Sequence, residues 1–450
     1  MSHRSSSLRR TVAVAVAGVL AVTPALLSAF GPAVVSASAG AVSIRKYSLA
    51  PHVRLTTYRY AAGPEQVRVI TITQGASLGV ANAGAAFGVE ATPSAIGSRA
   101  YFNGTKRVPA VAATNGDFAS GGMPTHIEEI DGQVMTSGLQ SSPQFAVNFD
   151  GSRAFMGRTQ LQLSGRFTKT PFTIDRWNAG PPTNDQIAGF TQVGGTVQLS
   201  PGTGSATASD PSYCAVRLIP AGPPKWSNKI KAGIQRDYTV DLASPAPCPQ
   251  TRMGLGTDPG AIVLAADASG TGATTLNTLA ACGCTVTLKW RQKRWPGVVN
   301  AIGGTPMLVD NGVNVGPGYS YNDPYIYNYN PRTAVGFNAG CSDTDPATLC
   351  KIFLVTVDGR ASKWSKGWRM NQLGAFFVKT LHAQYALNMD GGGATELWVH
   401  KQAKKFTPPC ILATRPGCVV DKPSDQIERI SIMALAALPG PDLGIPRSLR

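Results

Sequence analysis

Charged side chains are scarce in this sequence, because Asp, Glu, Lys and Arg make up only 15% of its 450 residues. Glycine and proline, by contrast, occur 49 and 33 times. A composition this poor in charge and this rich in turn-forming residues favours many short strands and turns over a bundle of long helices. No internal repeat is visible in it.

Long apolar runs are also missing beyond the first 40 residues, so no later segment is expected to span a bilayer. The N-terminus has a basic stretch, MSHRSSSLRR, then the apolar TVAVAVAGVLAVTPALLSAF, and then small residues in SASAG. This order predicts a secretory signal peptide, residues 1–39, cleaved after Ala39. The alternative is a retained anchor, which Pro24 and Pro32 disfavour. We therefore expect a secreted, extracellular protein without stable membrane insertion.

Features of nucleic-acid binding are absent, since the sequence has neither a basic helix nor a stripe of alternating aromatic and basic residues. Lys and Arg nevertheless exceed Asp and Glu, which gives a net charge of +16. A basic exported protein tends to associate with anionic partners, and we expect a phosphate-containing glycan or an anionic envelope polymer. The alternative is that the charge serves only solubility.

Histidine is rare, with five residues, and no histidine pair lies near the cysteines, so the sequence predicts neither a metal site nor a cofactor. The eight cysteines are an even number, which fits disulfides formed in an oxidising compartment. We expect two local pairs, Cys341 with Cys350 and Cys410 with Cys418, because each pair brackets a short polar loop. The pairing of four cysteines stays open: Cys214, Cys248, Cys282 and Cys284.

Four apolar runs share one pattern, in which a β-branched or apolar stretch ends abruptly in glycine and a polar residue. They are VPAVAATNGDF, GVVNAIGGTPMLVDNG, IFLVTVDGR and YALNMDGGG. Three consecutive glycines weaken regular structure, because glycine loses the most backbone freedom on folding. The triplet Gly391, Gly392 and Gly393 therefore indicates a place where a ligand or a second loop approaches the backbone closely.

The last two of these runs are separated by WRMNQLGAFFVKTLHAQ, in which Met370, Leu373, Phe377 and Leu381 recur at helical spacing. A strand, a helix and a strand form a crossover unit, whose two strands are parallel. Parallel strands end at the same edge of a sheet, where α/β proteins bind ligands. The spacing thus predicts that residues 358, 360 and 390 emerge at one edge.

The remaining segments indicate mostly antiparallel strands, among them VRVITITQG near the start and QIERISIMALAAL near the end. The predicted fold class is therefore α+β, a mixed β-sheet domain with one parallel βαβ unit in the C-terminal half and disulfide-stapled loops. The predicted organisation is given by residue ranges: an N-terminal strand region, 40–107; the main domain, 108–438, with a surface insertion at 199–249 and a disulfide loop at 401–425; and a flexible tail, 439–450.

The motifs NMDGGGATEL, PRTAVGF followed by LVTVDGR, AIGGTPMLVDNG and VAATNGDF resemble those of the phosphodiester glycosidase domain, in the same order and spacing. The resemblance extends from Val108 to Leu438. It implies an exported hydrolase that cleaves a sugar 1-phosphodiester and releases the sugar. Two departures bear on substrate choice: Ala394-Thr395 stands where many relatives carry hydroxyl residues, and Ala119 stands where a second aromatic is common.

The chemistry implied by this resemblance needs a cationic clamp for phosphate and two carboxyl groups. Arg332 and Arg360 are the candidates for the clamp, since a guanidinium bonds two oxygens at once; a structural salt bridge is the alternative for each. Asp358 and Asp390 are the first candidates for acid and base, with Asp117 as the third. The alternative for these acids is turn formation, which is common for Asp-Gly pairs.

Further candidates surround these residues. Asn115 and Asn388 are expected to bond sugar hydroxyls or to brace the carboxylates. The backbone N–H groups of five glycines could bind phosphate oxygens: Gly303, Gly304, Gly391, Gly392 and Gly393.

Some motifs are set aside. Ser77 has the spacing of a nucleophile elbow, but the helix that an elbow requires does not follow it. Asp310 fits an ordinary hairpin turn. SDTD at Ser342–Asp345 lacks the further ligands of a calcium site. His126 lies near the NGDF motif and is a candidate for lining the cleft, although a lone histidine is more often structural.

The sequence therefore predicts a secreted hydrolase of glycosyl phosphodiesters in an envelope polymer or glycoconjugate. Two alternatives stay open. One is a glycoside hydrolase acting on a phosphate-free polysaccharide, and the other is a non-catalytic protein of the same fold that binds anionic glycans.

Overall fold

The computed structural model of the protein describes residues 43–439, with gaps at 62–64, 103–106, 139–141, 149–151, 159–160, 195–212, 224, 227–233, 243–247, 249–257, 259, 296, 319–322, 343–347, 402–409, 415 and 425–430. The chain divides into Met1–Ser36 and Ala37–Arg450, and every described residue belongs to the second unit. The predicted signal peptide and residues 440–450 of the predicted tail lie outside the described residues.

The described residues form 32 strands and four α-helices. The first sixteen strands are β1 (Ser43–Ala50), β2 (Val53–Tyr60), β3 (Glu65–Thr73), β4 (Ser77–Asn82), β5 (Ala100–Phe102), β6 (Arg107–Pro109), β7 (Ala112–Asn115), β8 (Ala119–Ser120), β9 (Met123–Pro124), β10 (Glu128–Ile130), β11 (Gln133–Thr136), β12 (Gln144–Asn148), β13 (Ala154–Gly157), β14 (Leu161–Phe167), β15 (Thr170–Ile174) and β16 (Arg176–Trp177).

The other sixteen strands are β17 (Ile187–Thr191), β18 (Tyr213–Pro220), β19 (Lys225–Trp226), β20 (Ile234–Val240), β21 (Ile262–Asp267), β22 (Thr285–Gln292), β23 (Val298–Gly303), β24 (Met307–Asp310), β25 (Val313–Asn314), β26 (Arg332–Asn338), β27 (Lys351–Val357), β28 (Ala383–Asn388), β29 (Leu397–His400), β30 (Leu412–Ala413), β31 (Gly417–Val419) and β32 (Met433–Leu438). The helices are α1 (Pro93–Gly97), α2 (Thr271–Cys282), α3 (Pro324–Tyr327) and α4 (Met370–Lys379). None of the helices in the described part of the chain has the length and apolar character needed to cross a bilayer.

Four larger sheets account for most strands. An eight-stranded sheet has the order β1-β2-β3-β27-β26-β28-β24-β25, and a six-stranded sheet has the order β30-β31-β29-β7-β32-β4. A five-stranded sheet has the order β11-β10-β23-β12-β13. A nine-stranded sheet runs β15-β14-β22-β20-β18-β21-β17-β16, with β19 paired to β20.

The eight-stranded sheet is buried on both faces. In β3, Ile70 and Ile72 belong to a core shared with the six- and five-stranded sheets, while Val67 and Val69 belong to a second core on the opposite face. This alternation is the two-residue period of a strand. Each fully buried apolar side chain of this size stabilises the fold by about 1.5–3 kcal/mol.

Helix α4 covers the second core through Leu373 and Phe377, as its apolar spacing predicts. The predicted parallel βαβ unit, however, is wrong, and so is the α+β class that rests on it. Strands β27 and β28 are not neighbours, because β26 lies between them and pairs antiparallel with both. A short loop closed by the Cys341–Cys350 disulfide makes β26 and β27 a hairpin, which occupies that edge of β27. The described fold is mostly antiparallel β-sheet.

The nine-stranded sheet has its own core, which α2 covers with Leu276 and Leu279. The prediction of a surface insertion at 199–249 does not hold for its described strands. Strands β18 and β20 lie inside this sheet, and Cys214 and Leu218 are buried in its core. These strands have eight and seven residues, but the segments around them are rich in Pro, Ser and Gly, and that composition led to the prediction of an insertion.

All eight cysteines are joined in disulfides. The bonds Cys341–Cys350 and Cys410–Cys418 are the two local pairs that the spacing predicts. The four cysteines whose pairing the sequence left open form Cys214–Cys248 and Cys282–Cys284.

Candidate functional site

The C-terminal end of β7 meets the end of β28, where the six-stranded and eight-stranded sheets approach each other. Asn115, the last residue of β7, donates from its side-chain amide to the carbonyl of Asp390 at 2.7 Å. Its Oδ1 accepts from the hydroxyl of Thr333 at 2.7 Å and from the backbone of Glu396 at 3.3 Å. The backbone N–H of Asp390 in turn donates to the carbonyl of Gly116 at 3.0 Å. Asn115 therefore braces the backbone on which Asp390 stands.

Asp117 is buried and surrounded by N–H groups. Its Oδ1 accepts from the backbone of Phe118 at 2.7 Å, and its Oδ2 accepts from the backbone of His126 at 3.0 Å. Nδ1 of His126 lies 2.6 Å from Oδ1. Donors of this kind favour the ionised form of a carboxyl group. Phe118 packs edge-on against both the His126 ring and the ring of Tyr325.

Asp390 is in a different environment from Asp117, although the two lie close enough for their charges to interact. The pKa of Asp390 is raised to about 6: burial is the main cause, a backbone hydrogen bond from Gly391 lowers the pKa, and the nearby charge of Asp117 raises it. A carboxyl group with this pKa exchanges its proton near neutral pH. Two neighbouring acids in environments this different suit separate acid and base roles.

The glycine triplet lies under two side chains. A Cβ built on Gly391 would lie 2.5 Å from the hydroxyl of Tyr325, and one on Gly392 would lie 2.9 Å from Nη2 of Arg360. Gly392 also has a φ of +61°, a conformation that glycine adopts readily. The close approach predicted for the triplet is therefore an approach of Tyr325 and Arg360 to the backbone beside Asp390.

Arg332, the first residue of β26, is completely buried. Its Nε donates to the carbonyl of Trp368 at 2.9 Å, and its Nη2 donates to the carbonyls of Tyr325 at 2.6 Å and Asn328 at 2.9 Å. Burial lowers its pKa from the ordinary value, and the positive charge of Arg360 lowers it further. Its Nη1 has no hydrogen-bond partner among the described residues. Arg332 holds the α3 turn against the site.

Tyr325, in α3, was not singled out from the sequence. The guanidinium of Arg332 lies 4.9 Å from its ring centroid. Burial raises the pKa of Tyr325 to about 12, and the charge of Asp390 contributes to this rise. The hydroxyl therefore keeps its proton at neutral pH and can donate a hydrogen bond. The tyrosine-rich stretch before PRTAVGF is the signal that could have identified it.

Arg360 is exposed, in contrast to Arg332. Its Nε and Nη2 donate to Oδ1 of Asn330 at 3.3 and 3.2 Å. Since Arg360 also lies against Gly392, its guanidinium is held two residues along the chain from Asp390 while remaining open to solvent. Of the two candidate clamp arginines, Arg360 is the one that can contact an incoming anion.

Asp358 is engaged elsewhere. Its carboxylate forms an ion pair with Arg68 at 2.6 Å, accepts from the indole N–H of Trp364, and accepts from the backbone of Lys422 at 3.1 Å. Its charge is one cause of the raised pKa of Asp421, about 8, for which burial is the main cause. The strand ends at the predicted edge of the sheet, but this side chain turns toward β3 and residues 421–422.

The other glycine and asparagine candidates bond within the protein. The N–H groups of Gly303, Gly304 and Gly392 donate to the carbonyls of Ile127, Pro143 and Pro331. Gly391 donates to Asp390, and Gly393 lies in the short 3₁₀ turn Gly392–Ala394. The amide of Asn388 donates to the carbonyls of Thr305 and Met389. Gly303 and Gly304 instead allow close contacts. A Cβ built on Gly303 would meet the side chain of His126, and one built on Gly304 would meet the carbonyl of Asn388.

Glu128, which the sequence analysis also missed, lies behind Asp117. It is completely buried, and burial raises its pKa to about 8, with a further contribution from the charge of Asp117. It therefore carries a proton at neutral pH and adds no negative charge to the site. Its position two residues after His126 gave no signal in the sequence.

The motifs that were set aside lie outside this cluster. Ser77 is buried in β4, and Asp310 is exposed in the β24–β25 hairpin. Of SDTD, residues 343–345 lie outside the described residues. Among the side chains that the structure describes, no group of three or more His, Cys, Asp or Glu could hold a metal ion.

The described cluster thus combines a buried, hydrogen-bonded carboxyl group, a second carboxyl group with a pKa of about 6, a phenol that can donate, and an exposed guanidinium. Such a set can transfer a proton to a leaving oxygen while it stabilises negative charge beside it.

Residues 246–429 match the family model for phosphodiester glycosidase. This confirms the resemblance found in the motifs, over a shorter range than the predicted Val108–Leu438. Asn115, Asp117 and His126 precede the matched residues. No curated protein matches the chain significantly.

Two solved structures share the fold. A hypothetical protein from Synechocystis has a TM-score of 0.58 at 16% identity, over 88% of this chain and 64% of that chain. A putative exported protein from Burkholderia pseudomallei K96243 has a TM-score of 0.52 at 19% identity, over 84% of this chain and 75% of that chain. This chain therefore spans less than two thirds of the Synechocystis protein. A third structure is the catalytic domain of zebrafish N-acetylglucosamine-1-phosphodiester alpha-N-acetylglucosaminidase, auto-inhibited by its pro-peptide. It aligns at a TM-score of only 0.39 and 12% identity, over 90% of this chain and 86% of that chain.

Proposed function

Because residues 246–429 match the phosphodiester glycosidase family, we propose that the protein hydrolyses a glycosyl phosphodiester and releases the sugar. The observation that carries this proposal is the pairing of Asp117 and Asp390 near the exposed Arg360, which lies against Gly392. Two acids in contrasting environments are what cleavage at an anomeric carbon needs. A guanidinium open to solvent next to them is what an anionic substrate needs.

The charge of the substrate explains the need for Arg360. A phosphodiester carries one negative charge, and breaking the bond between the anomeric carbon and its oxygen leaves a phosphomonoester with a second one. A cation placed where this charge develops lowers the barrier. Tyr325 donates a hydrogen bond from its hydroxyl to the same phosphate group. The raised pKa of Tyr325 keeps this hydroxyl protonated.

Asp390 and Asp117 have different roles in the proposed reaction. Asp390, with a pKa of about 6, gives its proton to the leaving phosphate oxygen. Asp117, whose carboxyl oxygens accept from two backbone N–H groups and contact Nδ1 of His126, stabilises the positive charge that grows on the sugar ring. His126 fixes the carboxylate of Asp117.

Asp358 and Arg332 take supporting roles in this proposal, although both were first candidates from the sequence. Asp358 is committed to the Arg68 ion pair, and it anchors the loop that carries Arg360. Arg332 holds the turn that presents Tyr325, through three backbone carbonyls.

Export and an envelope substrate belong to the same proposal. Four disulfides fit an oxidising compartment, and the N-terminal sequence has the order of a signal peptide. The net charge of +16 favours a polymer with phosphate groups over a neutral one.

The test is release of reducing sugar from a panel of sugar 1-phosphodiesters by the purified protein. We expect turnover by the wild type, and a loss of about 10²- to 10⁴-fold in Asp390→Asn and in Asp117→Asn. Asp310→Asn, which makes the same chemical change on the exposed β24–β25 hairpin, should keep wild-type activity. Turnover by Asp390→Asn equal to that of Asp310→Asn would remove Asp390 from the mechanism.

A further inference from the structure

Residues 359–368 form a loop between β27 and α4 that bears only positive charge; we call it the cationic loop. Its side chains Arg360, Lys363 and Lys366 are all exposed, and the segment contains no Asp or Glu. Three exposed cations within seven residues repel one another unless anions or solvent screen them.

The loop is a built structure. Backbone bonds join Ala361 to Ser365 at 3.0 and 2.7 Å, and Trp364 donates to the carbonyl of Ala361 at 2.7 Å. The hydroxyl of Ser365 donates to the carbonyl of Asp358 at 2.6 Å and accepts from the backbone of Gln66 at 3.3 Å. The cations are therefore presented from a fixed turn.

Trp364 supplies an aromatic surface among these cations. Its indole N–H donates to the buried carboxylate of Asp358, which fixes the ring, and the ring remains partly exposed. Nζ of Lys422 lies 5.8 Å from the ring centroid, which adds a fourth cation from another segment. A fixed indole flanked by lysines can contact the apolar face of a sugar and a charged substituent together.

The acids close to the loop do not neutralise this surface. Asp358 and Asp421 are buried and face Arg68. Glu65, beside Lys366, is 6% exposed, and burial raises its pKa to about 7. The outward charge of the loop is therefore positive.

The cationic loop is continuous with the candidate site. Arg360 belongs to both, since its guanidinium lies against Gly392, two residues after Asp390. Lys363 and Lys366 follow on the same turn, whose two arms are joined by hydrogen bonds. The backbone N–H of Arg360 donates to the carbonyl of Lys366 at 3.4 Å, so the loop returns to the residue that lies against Gly392.

We propose that the cationic loop, with Lys422, is a subsite for a further anionic unit of a polymeric substrate, and that Trp364 contacts a sugar of the same chain. This inference rests on the proposed function, and it deepens it. The substrate class that follows is a polysaccharide with phosphodiesters recurring along its chain.

The test uses Lys363→Ser/Lys366→Ser, with Arg166→Ser/Lys169→Ser as a control that removes the same charge. The control residues are exposed in the β14–β15 hairpin of the nine-stranded sheet. Binding is measured by calorimetry at low and high salt to a polysaccharide with phosphodiester-linked repeating units, to dextran sulfate and to neutral dextran. Melting temperatures establish that each variant is folded.

We expect the loop variant to bind the phosphodiester polymer about five- to tenfold more weakly than the control variant, with a smaller dependence on salt. Equal affinity of the two variants would overturn the proposal. A second result would also overturn it: dextran sulfate binds as tightly as the phosphodiester polymer, and both variants lose the same affinity for it relative to the wild type. The surface would then bind polyanions in general.

Hydrolysis is measured separately, so that the two proposals can fail independently. For the loop variant, kcat/KM on the polymer divided by kcat/KM on a monomeric diester should fall about five- to tenfold relative to the control. If neither substrate is cleaved by any form of the protein, the proposed function fails. The binding comparison of the loop and control variants, repeated with Asp390→Asn added to each, then still tests whether the cationic loop is a subsite.

Discussion

At the scale of single residues, the site contains a carboxyl group whose ionised form is less stable in the folded protein than in water. Asp390 has a pKa of about 6 in the folded protein, against an ordinary value of 3.8. A raised folded pKa contributes stability below the unfolded pKa, and this contribution is lost as the pH rises through the folded pKa. Catalytic groups often carry such a cost in stability.

This cost predicts that Asp390→Asn stabilises the protein at high pH. The shift of about two pKa units corresponds to about 3 kcal/mol at pH 8, because the ionised carboxylate of the wild type is then buried. The amide oxygen of Asn can still accept from Gly391. In urea unfolding, the free energy of unfolding of the variant should exceed that of the wild type at pH 8, and this difference should shrink toward pH 4. A difference of the same size at both pH values would show that burial of the charged carboxylate is not its cause.

At the scale of elements, the Arg68–Asp358 ion pair joins β3 to the end of β27. Both side chains are buried, and Trp364 and Lys422 complete the contacts of the carboxylate. Asp421 adds a second buried acid to the same cluster. Arg68 is therefore the cation that allows two acids to lie beneath the cationic loop.

We predict that Arg68→Met lowers the free energy of unfolding by about 3–5 kcal/mol, because it leaves buried acids without a cation. Arg217→Met removes the arginine of the Arg217–Asp241 ion pair, whose side chains are 24% and 8% exposed, and should cost less than Arg68→Met, because solvent reaches the guanidinium of this pair. Urea unfolding at neutral pH measures both. Equal losses for the two variants would show that the cluster under the loop has no special role.

At the scale of the whole molecule, the candidate site is assembled from four separate segments, one of which is α3 with Tyr325. Asp117 and His126 follow β7 of the six-stranded sheet, whereas Arg360 and Asp390 follow β27 and β28 of the eight-stranded sheet. The hydrogen bonds of Asn115 to Thr333 and Asp390 join the two sheets at this point. The geometry of the acids thus depends on how the sheets pack.

Part of this assembly could be predicted from the sequence. Apolar runs that end in Asp or Asn located the strand ends at Asn115, Val357 and Asn388, and helical spacing located α4. Strand order could not be predicted, because apolar spacing indicates where a strand forms and which face is buried but not which strands are its neighbours. The insertion of β26 between β27 and β28 therefore went unseen.

Side-chain direction was the second limit. Arg68 lies inside VRVITIT, where an arginine in a strand gives no indication of a partner 290 residues away at Asp358. Tyr325 reaches the site only because Arg332 is buried and holds α3 in place. Such contacts depend on tertiary packing, which no local pattern encodes.

The most direct test of the central claim is the position of bond cleavage. A sugar 1-phosphodiester is hydrolysed by the wild-type protein in oxygen-18 water, and the phosphomonoester product is weighed by mass spectrometry. Attack at the anomeric carbon, assisted by Asp117 and Asp390, leaves the phosphate with its original oxygens, so we predict no label in that product. A phosphomonoester that carries one labelled oxygen would show attack at phosphorus and would contradict the account.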